Sequence, residues 1–124
     1  MDEKEILALC SKVRQTAYSL HTFLRSRHLE KVYENGLAHR LRKAGLKVEQ
    51  QYPLKVYDED GTVLGAYFAD LFIESELIVE LKSGRVIADE HIAQALGYLR
   101  VSGHRHAMII NFGAQKIQFK KLIL

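Results

Sequence analysis

Apolar residues recur at three- and four-residue steps through Ile6, Leu9, Cys10, Val13, Ala17, Leu20 and Leu24, which predicts one amphipathic helix over about residues 3 to 25. A second helical pattern runs from about Leu29 to Ala44, and Gly45 is its stop signal. The period then changes. "KVEQQYPLKVY" alternates as a strand, "DEDG" at 58 to 61 reads as a turn, and "TVLGAYFADLFI" is the returning strand. "ELIVELK" follows as a third strand, with "ESE" at 74 to 76 as the hairpin loop. "ADEHIAQALGYLRVSG" is a helix with Asp89 as its N-cap and Gly103 as its stop. "RHAMIINF" and "KIQFKKLIL" close the chain as strands around a "GAQ" turn. The predicted order is α-α-β-β-β-α-β-β. No linker, repeat or low-complexity stretch interrupts it, so residues 1–124 are expected to form one domain: an α/β (α+β) fold with a single mixed sheet flanked by helices.

Charges break this pattern inside the third strand. Side chains alternate along a strand, so Ile78, Glu80 and Lys82 share one face, and Val79 and Leu81 the other. Asp70 shares a face with Phe68 and Phe72. With the loop at 74 to 76, Phe72 faces Ile78 and Asp70 faces Glu80, putting two carboxylates opposite each other. Such a pair repels unless a cation lies between. Lys82 supplies one positive charge, and a divalent metal would supply more. Ordinary solvated edge charges would be the plain explanation for a single carboxylate. Three ionisable residues converging across a hairpin favour a functional cluster as much as that.

On the second helix, at about 100° per residue, Leu29, Val32, Tyr33, Gly36, Leu37, Leu41 and Ala44 fill one arc. Glu30 falls inside it, between Leu37 and Leu41, and is expected to point toward the sheet. Glu34 falls at the edge. Arg40 also lies in the arc, so a structural ion pair of Glu30 with Arg40 or Lys82 is the competing reading. On the later helix Ile92, Ala95, Leu96 and Leu99 form the packing stripe. Beside it run His91, Gln94 and Tyr98, either a solvated flank or the rim of the cluster.

Composition narrows the class. Nearly half the residues are hydrophobic (48%) and 27% are charged, which suits a soluble globule. No apolar run has membrane-spanning length and no signal-peptide pattern opens the chain, so a cytoplasmic protein without membrane contact is expected. Cys10 is the only cysteine, which excludes an internal disulfide, and its expected place is in the core. No Cys/His zinc spacing occurs. The net charge of +3 favours an anionic partner such as nucleic acid. Arg85, Arg100, Arg105, Lys116, Lys120 and Lys121 are candidate phosphate contacts, with solvated charge as the default for each.

Asp70 followed, after a gap of nine, by Glu80-Leu81-Lys82 resembles the D-Xn-(D/E)-X-K signature of the PD-(D/E)XK nuclease superfamily, whose α-β-β-β-α-β core order matches the predicted elements. "QALGY", Gln94 to Tyr98, resembles the Q-x-x-x-Y motif of its RecB-like and lambda-exonuclease-like branch. "LEKVYENGLAHRLRKAGLKVEQQYPLKVY", "FADLFIESELIVELK" and "INFG" are similar to the GxxExxY protein family, whose name motif covers Glu30 and Tyr33 but has Arg27 where the family has glycine. The resemblance implies a restriction-endonuclease-like core with an extra N-terminal helix and a C-terminal strand. It also implies a metal-dependent nuclease acting on nucleic acid, with DNA favoured. Mg²⁺ or Mn²⁺ would be held by Asp70, Glu80, the Leu81 backbone carbonyl and Glu30, directly or through water. Lys82 would orient or deprotonate the attacking water, and Gln94 and Tyr98 would position the substrate strand or that water. His91 ranks below these as a surface helix residue. So short a chain has little room for a recognition domain, and a homodimer or protein partner would help it grip DNA. Two other readings stand beside this one. One is a catalytically silent module of the same fold that binds nucleic acid or a protein. The other is a buried ion-pair network, which would not need the Q-x-x-x-Y spacing.

Overall fold

A computed structural model describes residues 1–124. The elements follow in the expected order: α1 (Glu3–Leu24), α2 (Glu30–Lys43), β1 (Val48–Tyr57), β2 (Val63–Ile73), β3 (Leu77–Lys82), α3 (Asp89–Ser102), β4 (His106–Asn111) and β5 (Gln118–Ile123). The strands form one five-stranded sheet, β1-β2-β3-β4-β5. β3 and β4 are parallel, joined by the α3 crossover, and all other neighbours are antiparallel. This is the mixed α+β architecture that the pattern predicts. No helix is long and apolar enough to cross a membrane.

The sheet has a core on each face. α1 and α2 pack on one, where Ile6, Leu9, Cys10, Val13, Tyr33, Leu37 and Leu41 meet Leu71, Ile73, Leu77, Val79 and Leu81. α3 packs on the other, where Ala95, Tyr98 and Leu99 meet Phe72, Ile78, Ala107 and Ile109. β3 is covered on both faces, with every residue from Leu77 to Leu81 buried. Cys10 is buried, as expected, and burial pushes its thiol pKa up, away from reactivity.

The turns stop where the glycines allow. Gly45, Gly61 and Gly103 have φ of +91°, +87° and +73°. The start of α3 differs from expectation. Ala88, not Asp89, is its N-cap. The Ala88 N–H donates to Nδ1 of His91 at 3.1 Å, so His91 does the capping and Asp89 becomes the first helical residue, where its charge suits the helix dipole.

One irregularity shapes the molecule. Val48 of β1 packs with the α1/α2 core, but Leu54 and Tyr52 pack on the α3 side. In β2, Leu71 and Ile73 belong to the first core and Ala69 to the second. Strict alternation would keep each set on one face. The switch falls at Gln51 and Asp70, and Gln51 has φ +51°. Beyond that point the β1–β2 hairpin curls over the α3 face, with the Tyr67 ring 5.2 Å from that of Tyr98.

Candidate active site

The hairpin register places Phe72 opposite Ile78 and Leu71 opposite Val79, and there the β2–β3 ladder ends. The next residues are Asp70 and Glu80, whose side chains replace the missing ladder bonds. The Asp70 N–H donates to Oε1 of Glu80 at 3.3 Å, and the Leu81 N–H donates to Oδ2 of Asp70 at 2.7 Å. Both carboxylates therefore occupy the gap between the parting strands. This refines the expectation of one shared face, since each acid reaches sideways to the neighbouring strand's backbone. A residue's N–H and C=O leave a strand on the same edge, so the Leu81 carbonyl also points toward this gap.

Glu80 is only 5% exposed. Burial, and then the charge of Asp70, push its pKa up to about 9. Lys82 acts the other way, but no ion pair joins its amine to either acid. Instead Nζ of Lys82 lies 3.4 Å from Oε1 of Gln94 on α3. Tyr98, one turn further on, is buried, and its hydroxyl pKa is pushed up to about 12 by burial and by Glu80 and Asp70. The structure thus brings Asp70, Glu80, Leu81, Lys82, Gln94 and Tyr98 together.

Glu30 does not join them. It is exposed, makes no hydrogen bond or ion pair, and no third Asp, Glu, His or Cys completes a metal-binding group with Asp70 and Glu80. A helical wheel gives direction but not depth. Glu30 is the first residue of α2, and the packed face starts at Tyr33. Leu29, which helped to define the arc, is 77% exposed. The α2 acid that reaches inward is Glu34, 3% exposed. Its carboxylate accepts hydrogen bonds from Gln50 and Gln51, both at 2.7 Å, and from Lys31 at 2.9 Å. Gln51 also donates to Oδ1 of Asp70 at 3.1 Å, so Glu34 and Asp70 are linked through one amide. The only trace of this in the sequence is Glu34 at the edge of the apolar arc.

A second group, also not foreseen, fixes the exit of β3. Asn111 is wholly buried. Its amide accepts from the Gly84 N–H at 3.1 Å and donates to the Gly84 carbonyl at 3.0 Å. A Cβ on Gly113 would lie 2.4 Å from the Ser83 carbonyl carbon, so only glycine lets this loop approach. Phe112 stacks on Tyr33 with centroids 4.5 Å apart. The Tyr33 hydroxyl donates to the Arg25 carbonyl at 2.5 Å and accepts from the His28 N–H at 3.2 Å, bracing the α1–α2 turn against this end of the sheet. "INFG" therefore holds the backbone that follows Lys82.

The basic residues divide by position. Arg85 and Lys116 are exposed at the Lys82 end of the sheet. Arg105 and Lys121 lie at the opposite end, and Lys121 is half-buried with Nζ 3.1 Å from Nδ1 of His106. Burial lowers the Lys121 pKa. It does not line this site.

Among known proteins, the family model described as the PD-(D/E)XK nuclease superfamily matches residues 8–122. No curated protein and no solved structure matches the chain.

Proposed function

Because the chain belongs to the PD-(D/E)XK nuclease superfamily, we propose that it hydrolyses phosphodiester bonds in nucleic acid, DNA foremost, with a Mg²⁺ or Mn²⁺ ion. One observation carries this reading: two carboxylates set into the gap between β2 and β3, with Lys82 two residues beyond Glu80. A buried acid and a half-buried one side by side repel, and a bound cation is what makes such a pair favourable. The donors are hard oxygens, which suits these ions. Asp70 and Glu80 would hold the ion together with the Leu81 carbonyl. Glu30 is left out of that set. The ion, when bound, supplies positive charge against the phosphate and makes water easier to deprotonate.

The protein's own groups do the rest. Lys82 offsets the charge that develops on the phosphate and hydrogen-bonds the attacking water. Gln94, beside its amine, orients that water or the substrate strand. Burial holds the proton on the Tyr98 hydroxyl, which suits it to donate a hydrogen bond. Glu34, through Gln51, steadies Asp70.

Within the superfamily we assign the chain to the GxxExxY group of the RecB-like and lambda-exonuclease-like branch. Arg27, at the position of the pattern's glycine, has φ +80°, a backbone conformation that glycine adopts freely. The thin donor set favours one alternative, a silent module that binds nucleic acid without cutting it. The deciding experiment is cleavage of plasmid and single-stranded DNA with Mg²⁺ or Mn²⁺ by wild type and Lys82→Ala. Metal-dependent cleavage that Lys82→Ala lacks supports the nuclease. A salt-dependent mobility shift with no cleavage of any DNA or RNA supports the silent module.

A further inference from the structure

Beside the carboxylate pair, a cleft of about 270 Å³ opens between the curled hairpin and α3, lined by Tyr67, Ala93, Gln94, Gly97, Tyr98 and Val101. It shares Gln94 and Tyr98 with the candidate active site, but its character differs. No lining residue carries a charge, so it does not suit a phosphate. Its walls are two aromatic rings, a glycine and small apolar groups. Tyr98 is 7% exposed and fixed in the core, whereas Tyr67, tilted 31° against it, is 49% exposed. One side of Tyr67 is backed by protein and the rest is open to solvent.

Gly97 is the unexpected member. It sits inside α3, away from either end, and its φ is not in the left-handed region. A Cβ built there meets nothing within 4 Å. Neither backbone conformation nor packing therefore calls for glycine, and alanine would favour the helix. What a side chain at position 97 would change is the cleft, which Gly97 lines.

We propose that this cleft is a nucleobase subsite, in which one unpaired base of the substrate strand stacks on Tyr67 above Gly97 while its phosphate lies toward Lys82. The proposal rests on the nuclease reading and adds a substrate form. A base within a duplex is already stacked on both sides, so the cleft selects single-stranded nucleic acid or a frayed end. Gln94, with an amide that both donates and accepts, meets the edge of a base without favouring one of the four.

The test uses the full chain carrying Lys82→Ala, with Mg²⁺ present, so that binding is read without cleavage. Probes are a single-stranded oligodeoxynucleotide and the same strand with abasic sites. Tyr67→Ala should weaken binding to the normal strand by roughly 5–100-fold, the range expected for one lost stacking contact. Tyr67→Phe should keep the affinity. The abasic strand should bind Tyr67→Ala and its parent alike. Gly97→Ala should move two readouts in opposite directions, weakening binding while raising Tm by roughly 3–5 °C. The chain has no tryptophan and six tyrosines, so tyrosine emission is directly visible, and part of its quenching on binding should vanish in Tyr67→Phe. If Tyr67→Ala and Gly97→Ala bind the normal strand as the parent does, the subsite is wrong and the nuclease reading stands. If the parent binds no nucleic acid and wild type cleaves none, both are wrong.

Discussion

The Asp70 N–H donates to the Glu80 carboxylate at 3.3 Å, one step beyond Leu71 and Val79, the last paired residues of β2 and β3. A side chain thus does the work of a ladder bond, and the protonation of Glu80 becomes part of how the sheet is held.

Stability should fall as pH rises, because burial and the charge of Asp70 hold the proton on Glu80 more strongly than this hydrogen bond favours its loss. With no cation bound, Glu80 has a pKa of about 9 against an ordinary value of 4.5. Between these the folded protein keeps a proton that the unfolded chain has released. The stabilisation is full below the unfolded pKa and is lost as pH climbs through the folded one, by up to about 1.4 kcal/mol per pH unit. Urea denaturation at several pH values, wild type against Glu80→Gln, isolates this contribution. Equal pH dependence in the two proteins would contradict it.

Mn²⁺ or Mg²⁺ should raise Tm, because the ion binds the native state only, by about 2.7 kcal/mol of stability at a concentration a hundredfold above Kd. The ion must displace the Glu80 proton, so the rise should be larger at alkaline pH and should release protons into weak buffer. Glu80→Gln should lose the effect. Thermal melts at millimolar Mn²⁺ that stay unchanged at every pH would remove the metal site.

Lys82→Ala should lose roughly 10²–10⁴ in cleavage rate, the worth of one positioned acid-base group, and keep the Mn²⁺ shift in Tm. Gln94→Ala should lower the rate with metal affinity unchanged. Single-turnover cleavage and melting curves on the same preparations separate the two roles. Loss of the Mn²⁺ shift in Lys82→Ala would make the lysine part of the metal site instead.

Glu34→Ala should destabilise by about 1 kcal/mol, since Gln50 and Gln51 each lose one acceptor and keep another, Asn35 and Asp70 respectively. Gln51→Ala should lower the cleavage rate more than the stability, because it releases Asp70 from α2. Urea denaturation and cleavage assays check both. An unaltered rate in Gln51→Ala would mean that Asp70 is placed by β3 alone.

Arg27→Gly should leave stability unchanged or raise it by up to about 1 kcal/mol, unlike most changes to glycine, because φ +80° burdens any residue with a Cβ. Denaturation of the variant gives the sign directly.

Features governed by local repetition were legible in the sequence. The pairing of Phe72 with Ile78, which leads on to Asp70 and Glu80, follows from hairpin arithmetic once the loop at 74 to 76 is recognised. The glycine stops at Gly45 and Gly103 follow from backbone sterics. Glu30 and Glu34 mark the limit. A period of 3.6 orders residues around a helix, but where the helix meets the sheet is a tertiary fact, and it decides which acid is buried. Asn111 and Gln51 were harder still. Each acts through partners distant in sequence, Gly84 and Glu34, and an amide in a strand looks the same whether it clamps a loop or faces water.

The face switch at Gln51 and Asp70 has a consequence for the site. It divides the β1–β2 hairpin into a root, knitted to β3, and an arm of residues 52–57 and 63–69 that reaches over α3. Leu54 and Ala69 bury the arm against α3, while Asp70 at the switch is tied to Leu81 on one side and Gln51 on the other. One hairpin therefore sets both walls of the candidate site, its arm carrying Tyr67 over α3 and its root holding Asp70 beside Glu80.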